Sequence, residues 1–125
     1  DKYETLGKPI KEIAFTDIEK FVDVECYYLS KNTSLNDLAN LLNIHPNQIS
    51  KSINSGFGSN FNHYINSKRI VVAKERLVDP QYNKLTIEAI GDSVGFKSKS
   101  AFYNAFKIQT GYSPSQYVKS ISPKL

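Results

Sequence analysis

Residues 86–117 read TIEAIGDSVGFKSKSAFYNAFKIQTGYSPSQY, and the spacing inside this stretch decides the fold. Ile87, Ile90 and Val94 fall at i, i+3 and i+7, one stripe of a helix. Gly91 lies beside Ile90 on the buried side, where a missing side chain lets another helix come close. Gly95 stands where a helix-turn-helix needs a residue that accepts positive φ, and Phe96 follows to plug the turn. Ser98 is expected to cap the next helix, its hydroxyl accepting from a free amide of the first turn. That helix has two faces. Phe102 and Phe106 make an i, i+4 pair for the core, with Ala101 and Ala105 beside them, and Lys99, Ser100, Tyr103, Asn104 and Lys107 point outward. A solvated helix face usually mixes Glu with Lys, yet no acid occurs between Gly95 and the C-terminus. A positive, hydrogen-bonding face on a second helix after a tight turn is what insertion into a DNA major groove requires. The competing reading is a plain solvent-facing helix.

The same pattern occurs earlier. Ser34 is placed to cap a helix whose apolar positions are Leu35, Leu38, Ala39, Leu41 and Leu42, and Asn43 then supplies a residue tolerant of positive φ before Ile44. His45 caps and Pro46 opens a second helix expected to run through Asn54, with Ile49 and Ile53 inward and Asn47, Ser50, Lys51 and Asn54 outward. Leu35, Leu38, Ala39, Leu42, Asn43 and Ile44 match Ile87, Ile90, Gly91, Val94, Gly95 and Phe96 at a constant separation of 52. After one inserted residue, Ile49, Ile53, Gly58 and Tyr64 match Phe102, Phe106, Gly111 and Tyr117 at a separation of 53. Two copies in register form an internal repeat.

Between the copies, Gly56-Phe57-Gly58 is expected to break the chain before a long helix from Ser59 to Val78. Its apolar residues lie around much of the cylinder, with Phe61, Ile65, Val72, Ala73 and Leu77 toward one copy and Tyr64, Val71 and Val78 further round. A helix packed on two sides is expected, bridging the repeats. Asp79-Pro80 ends it and Gln81–Leu85 form a loop. Ser113-Pro114 starts a last helix with Tyr117, Val118 and Ile121 inward, stopped by Ser122-Pro123. Ahead of the repeats, residues 1–15 carry Gly7-Lys8-Pro9 and no helical period and read as a linker or tail. Thr16-Asp17-Ile18-Glu19 fits a capping box opening a helix that buries Ile18, Phe21, Val22 and Leu29.

Composition bounds the partners. The 125 residues carry a net charge of +4. Residues 1–30 hold four Lys against seven Asp or Glu, a net of −3, whereas residues 31–125 hold twelve Lys or Arg against five acids, a net of +7. A polyanion is therefore expected to dock on the C-terminal part. The single cysteine, Cys26, forms no internal disulfide and reads as a small buried apolar residue in a reducing compartment. No apolar run approaches the ~20 residues of a membrane span. The chain lacks Met and begins at Asp1, which reads as a segment of a longer protein.

The residues from about Ser34 to Ile121 resemble the AraC family of bacterial transcription regulators, in its DNA-binding module. The most specific part is I-x-x-I-x-x-x-V-G-F-x-S-x-S-x-F-x-x-x-F-K-x-x-x-G-x-S-P-x-x-Y from Ile87 to Tyr117, supported by Asn66-Ser67-Lys68-Arg69 leading into Ala73-Lys74 and Leu77. Residues 16–33 resemble the extra helix that often precedes this module. The resemblance implies an all-α fold of about seven helices in a domain over 16–125: one helix-turn-helix subdomain over 16–58, a linker helix over 59–79 and a second subdomain over 80–125. It implies two reading helices in successive major-groove segments about 34 Å apart. Carried over by position, Asn47, Gln48, Ser50, Lys51 and Asn54 face bases from the first, and Lys99, Ser100, Tyr103 and Asn104 from the second. Thr33, Ser34, Lys97, Ser98, Lys107 and Tyr112 hold phosphates. It further implies promoter DNA and RNA polymerase as partners and a sensor or dimerisation domain outside this monomeric module, soluble or tethered to a membrane. No Cys/His cluster resembles a zinc site, so no metal and no cofactor are expected, and the lone cysteine fits a cytoplasmic location. Members often carry Arg where this chain has Lys51 and Asn104, and Phe where it has Ile53. Asn pairs with adenine rather than guanine, so a site less rich in guanine is expected.

Two other classes compete. An enzyme needs a nucleophile–base pair, a phosphate-cradling glycine loop or paired carboxylates, and none can be assembled around His45, His63 or Cys26. A helical protein-interaction module without DNA binding would use Tyr103 and Phe57 as contact anchors.

Overall fold

The structure, a computed structural model, describes residues 11–121. Among these residues the protein is all-α. Seven helices follow in order: α1 (Phe15–Val24), α2 (Leu35–Leu42), α3 (Pro46–Phe57), α4 (Phe61–Val78), α5 (Ile87–Ser93), α6 (Lys99–Thr110) and α7 (Pro114–Ile121), with 3-10 turns at Tyr27–Leu29 and Pro80–Tyr82. Two compact units divide within α4, between Ile65 and Asn66.

The first unit buries Ile18, Val22, Leu38, Ala39, Ile44, Ile49, Ile53, Phe61, Tyr64 and Ile65 in one cluster. Ser34 caps α2 by accepting from the Asp37 amide at 2.9 Å. Asn43 adopts φ 54°, the left-handed conformation that Asn tolerates better than most residues and that turns α2 into α3. His45 caps α3 through Nδ1, which accepts from the Asn47 amide at 3.0 Å, and Pro46 holds the first helical position, where its missing N–H costs nothing. At the edge of the core the Tyr64 hydroxyl donates to the half-buried Glu19 at 3.2 Å, and burial together with that carboxylate pushes the phenol far above its usual value.

Several expectations for this unit are corrected. α1 starts at Phe15 with Ala14 at its cap and no side-chain capping bond, so the box from Thr16 to Glu19 does not form. Phe15 sets the start instead. Its ring packs edge-on to Tyr64 at 5.4 Å and lies against Gly56, where an added Cβ would fall 2.6 Å from Cδ2. Ile13 and Phe15 thus pack on the core rather than belonging to a tail. Residues 1–10 lie outside the described residues. α1 stops at Val24, not near Leu29, because Cys26 turns left-handed at φ 49°, and Cys26 is exposed rather than buried. Gly56 stays inside α3, which runs past Asn54 to Phe57. The break falls at Gly58, φ 88°. Leu41 is 56% exposed, outside the core stripe.

The second unit repeats the device. Thr86 caps α5 by accepting from the Ala89 amide at 3.0 Å. Gly95 makes the turn at φ 108° and Ser98 caps α6 by accepting from the Ala101 amide at 3.1 Å. Its core holds Ile70, Ala73, Ile90, Val94, Phe96, Phe102, Ala105 and Phe106. Phe102 sits among three rings, with centroids 5.3 Å from Phe96, 5.8 Å from Phe106 and 5.9 Å from Tyr103. From α4, Arg69 lies over the Phe96 ring at 5.4 Å, and Arg76 donates to the Ser93 hydroxyl at 3.0 Å. Ala101 and Ile121 are exposed, contrary to expectation, and Ser122-Pro123 falls outside the described residues.

The repeat holds at atomic detail. Ile44 N–H donates to the Ala39 carbonyl, and 52 residues later Phe96 N–H donates to the Gly91 carbonyl, both at 3.1 Å. α3 and α6 are each 12 residues long, start 53 residues apart and end at left-handed glycines, Gly58 and Gly111. α4 and α7 likewise start 53 residues apart. The one-residue insertion therefore falls inside the turn, and both copies regain register at the second helix.

Candidate nucleic-acid interface

The second helix of each repeat buries its core residues and leaves a largely polar outer face, although Ile108 of α6 is 66% exposed. On α3, Ile49 and Ile53 are fully buried, so Asn47, Lys51 and Asn54 emerge exposed, with Gln48 and Ser50 half-buried at the margins. Asn54 donates from Nδ2 to the Ser50 hydroxyl at 3.4 Å, joining two of these residues in one row. Gln48 and Lys51 also border a groove of about 320 Å³ whose far wall is Glu12, Ile13 and Phe15. The segment leading into α1 thus runs beside α3.

On α6, Lys99, Ser100 and Asn104 are exposed and Tyr103 is half-buried. The helix carries no acid of its own, but α5 brings one to it. Glu88 accepts from the Tyr103 hydroxyl at 3.1 Å and pairs with the Lys99 ammonium at 3.6 Å. Lys99 in turn lies over the Tyr103 ring at 5.3 Å. The Glu88 backbone amide, then the Tyr103 hydroxyl and Lys99, hold the Glu88 carboxyl below the usual glutamate range. Partial burial, then the hydrogen bond to and the charge of Glu88, push the Tyr103 phenol up. Sequence reading along α6 alone misses Glu88, which lies 15 residues before Tyr103. The available signal was an acid in the first turn of the preceding helix, one residue after the core position Ile87.

The expected phosphate contacts fall into two groups. Lys97, Lys107 and Tyr112 are exposed. Ser34 and Ser98 spend their oxygens on capping, and the Ser34 amide donates to the Tyr27 hydroxyl at 3.3 Å. In both caps the serine oxygen acts as acceptor, so the cap itself does not use the hydroxyl hydrogen. Thr33 is half-buried beside this cap. Phe57, one anchor of the protein-interaction reading, is half-buried and stacks edge-on to Tyr64 at 5.3 Å and to His63 at 5.4 Å. It is committed to its own unit. Among the described residues no helix is long and apolar enough to cross a membrane.

A family model described as a helix-turn-helix domain matches residues 38–120. An uncharacterised HTH-type transcriptional regulator of Staphylococcus aureus is 31% identical over 100 residues, covering 77% of this chain and 13% of that protein. The Msm operon regulatory protein of Streptococcus mutans is 34% identical over 87 residues, covering 70% of this chain and 30% of its own length. The chain thus spans a minor part of the curated relatives it matches. Among solved structures, the C-terminal domain of AraT, a response regulator from Geobacillus stearothermophilus, superposes with a TM-score of 0.76 at 25% identity, covering 88% of this chain and 87% of that one. The C-terminal domain of the two-component response regulator yesN from Fusobacterium nucleatum gives a TM-score of 0.69 at 25% identity, over 81% of this chain and 97% of that one. With the family match running over well more than half of its length, the chain belongs to the AraC-type helix-turn-helix transcriptional regulators.

Proposed function

We propose that this chain binds double-stranded promoter DNA sequence-specifically, with α3 and α6 in successive major-groove segments. The observation that carries the proposal is the pair of matched second helices, each free of acidic residues and each exposing amide, hydroxyl and ammonium groups. These are the groups that read base edges, with Asn suited to adenine and Lys to guanine. Asn47, Gln48, Ser50, Lys51 and Asn54 read from the first unit, and Lys99, Ser100, Tyr103 and Asn104 from the second. Thr33, Ser34, Lys97, Ser98, Lys107 and Tyr112 hold the phosphate backbone and set register.

The domain performs no chemistry in this reading. Occupancy of a promoter site recruits or displaces RNA polymerase in the cytoplasm, and the isolated domain acts as a monomer. The greater length of its relatives supports a further region for sensing or dimerisation, in a soluble or a membrane-tethered protein.

Binding to random-sequence duplex across salt concentrations tests the proposal. If Lys51, Lys97, Lys99 and Lys107 displace counterions, affinity falls with a log–log slope of about −3 to −4, a loss on the order of 100-fold between about 50 and 200 mM salt. An interaction module without DNA binding gives no such slope.

A further inference from the structure

The reading face of α6 is preset by a residue outside α6. Glu88 projects from the first turn of α5 and takes the Tyr103 hydroxyl at 3.1 Å and the Lys99 ammonium at 3.6 Å, while Lys99 covers the Tyr103 ring at 5.3 Å. The three groups form a closed set on a surface where Lys99 and Glu88 keep 64% and 45% of their side chains exposed. A phenolic oxygen carries one hydrogen and two lone pairs. Donation of that hydrogen to Glu88 leaves Tyr103 able only to accept. In the major groove, adenine N6 and cytosine N4 offer donors, whereas guanine O6 and thymine O4 are acceptors.

We propose that Glu88 is a positioning residue that sets base preference through Tyr103, making its hydroxyl an acceptor that selects adenine or cytosine and rejects guanine and thymine at the facing position. Lys99 is held beside Glu88 as an ion pair at 3.6 Å, which leaves its N–H groups for a neighbouring acceptor-bearing base. A phenol keeps its hydrogen at neutral pH in any case, its ordinary value being about 10, and partial burial and then Glu88 push that of Tyr103 further up. Without Glu88, the same hydroxyl rotates freely and donates as readily as it accepts, so discrimination at that position collapses. This inference rests on α6 reading bases, and its test separates the two.

Duplexes are selected from a random pool with the wild-type chain, Glu88→Ala, Glu88→Gln and Tyr103→Phe, after circular dichroism shows each variant folded. The wild type is expected to enrich a column where adenine and cytosine together exceed guanine and thymine by roughly tenfold, the scale of one good base contact. Glu88→Ala and Tyr103→Phe should flatten that same column to within about threefold and leave the columns read by α3 unchanged. Glu88→Gln, which keeps an oxygen to accept from Tyr103, should retain most of the preference. The inference is overturned if Glu88→Ala keeps the column, or if the column is cytosine alone and survives Tyr103→Phe, since Glu88 would then be reading the base itself. A wild type that enriches no sequence and shows no salt-dependent binding to random duplex overturns the DNA-reading role as well.

Discussion

Gly91 offers the sharpest test of how the second helix-turn-helix is packed. A Cβ added there would collide with the Phe102 ring, contacting Cδ2 and standing 2.6 Å from Cγ and 3.0 Å from Cε2. The ring has no room to yield. Phe102 is 1% exposed, with Phe96, Phe106 and Tyr103 around it. Overpacking a filled core costs about 1–3 kcal/mol, and a collision with a fixed ring belongs near the top of that range. Replacing Gly by Ala inside a helix returns about 1 kcal/mol of propensity. Gly91→Ala should therefore destabilise by about 2 kcal/mol, lowering Tm by roughly 5–12 °C in thermal unfolding followed by circular dichroism. The repeat supplies an internal control. At the matching positions of the first unit stand Ala39 and Ile49, both buried, so the larger small residue goes with the smaller partner. Recreating that pair with Gly91→Ala and Phe102→Ile should cost less than the sum of the single changes, with a coupling of about 1–2 kcal/mol. A Tm that rises in Gly91→Ala, or strict additivity in the double variant, would refute the reasoning.

Further outcomes follow from the other devices. Asn43 turns at φ 54°, so Asn43→Ala should lose about 1 kcal/mol in denaturant unfolding while Asn43→Gly stays within about 0.5 kcal/mol. Lys107→Ala should weaken binding to every duplex alike and reduce the salt slope by about 1, whereas Asn47→Ala should cost about 1–3 kcal/mol on the preferred site and relax one or two bases. A changed base preference in Lys107→Ala would contradict its phosphate role. The Glu88 carboxyl is held down by its own backbone amide, by Tyr103 and by Lys99. A depressed carboxyl stabilises the fold above its unfolded value, about 4.3, and loses that contribution as pH falls through the lower folded value. The stability gap between wild type and Glu88→Gln should accordingly stay constant from about pH 6 to 8 and close below about pH 4, as read by unfolding at each pH.

Much of this fold was legible because its signals are local. Ser34, His45 and Ser98 announce helix starts through oxygens or nitrogens that accept from amides two or three residues on. Asn43, Gly95, Gly58 and Gly111 announce turns through the conformations they tolerate. What escaped was decided by residues distant in sequence. The polar Thr16 and Glu19 look like a capping box, yet packing of Phe15 against Tyr64 and Gly56 draws the cap two residues earlier, to Ala14. Glu19 is drawn to Tyr64, 45 residues away. Gly56 looks like a breaker and is instead a place for an aromatic ring. Cys26 ends α1 by a left-handed turn that its residue type does not announce. The outward residues of α3 and α6, most of which the structure leaves exposed, were legible from helical periodicity. Glu88 was not, because a periodicity taken along one helix is blind to an acid delivered by its neighbour.

The most direct test of the central claim is selection of bound duplexes from a random pool, repeated with Asn47→Ala and Asn104→Ala. The expected result is a consensus in two blocks centred about 10 base pairs apart, with an adenine rather than a guanine under Asn104. Asn47→Ala should degrade one block and Asn104→Ala the other. Failure to enrich any sequence, or loss of the same block in both variants, would contradict an account in which each repeat reads its own segment of the groove.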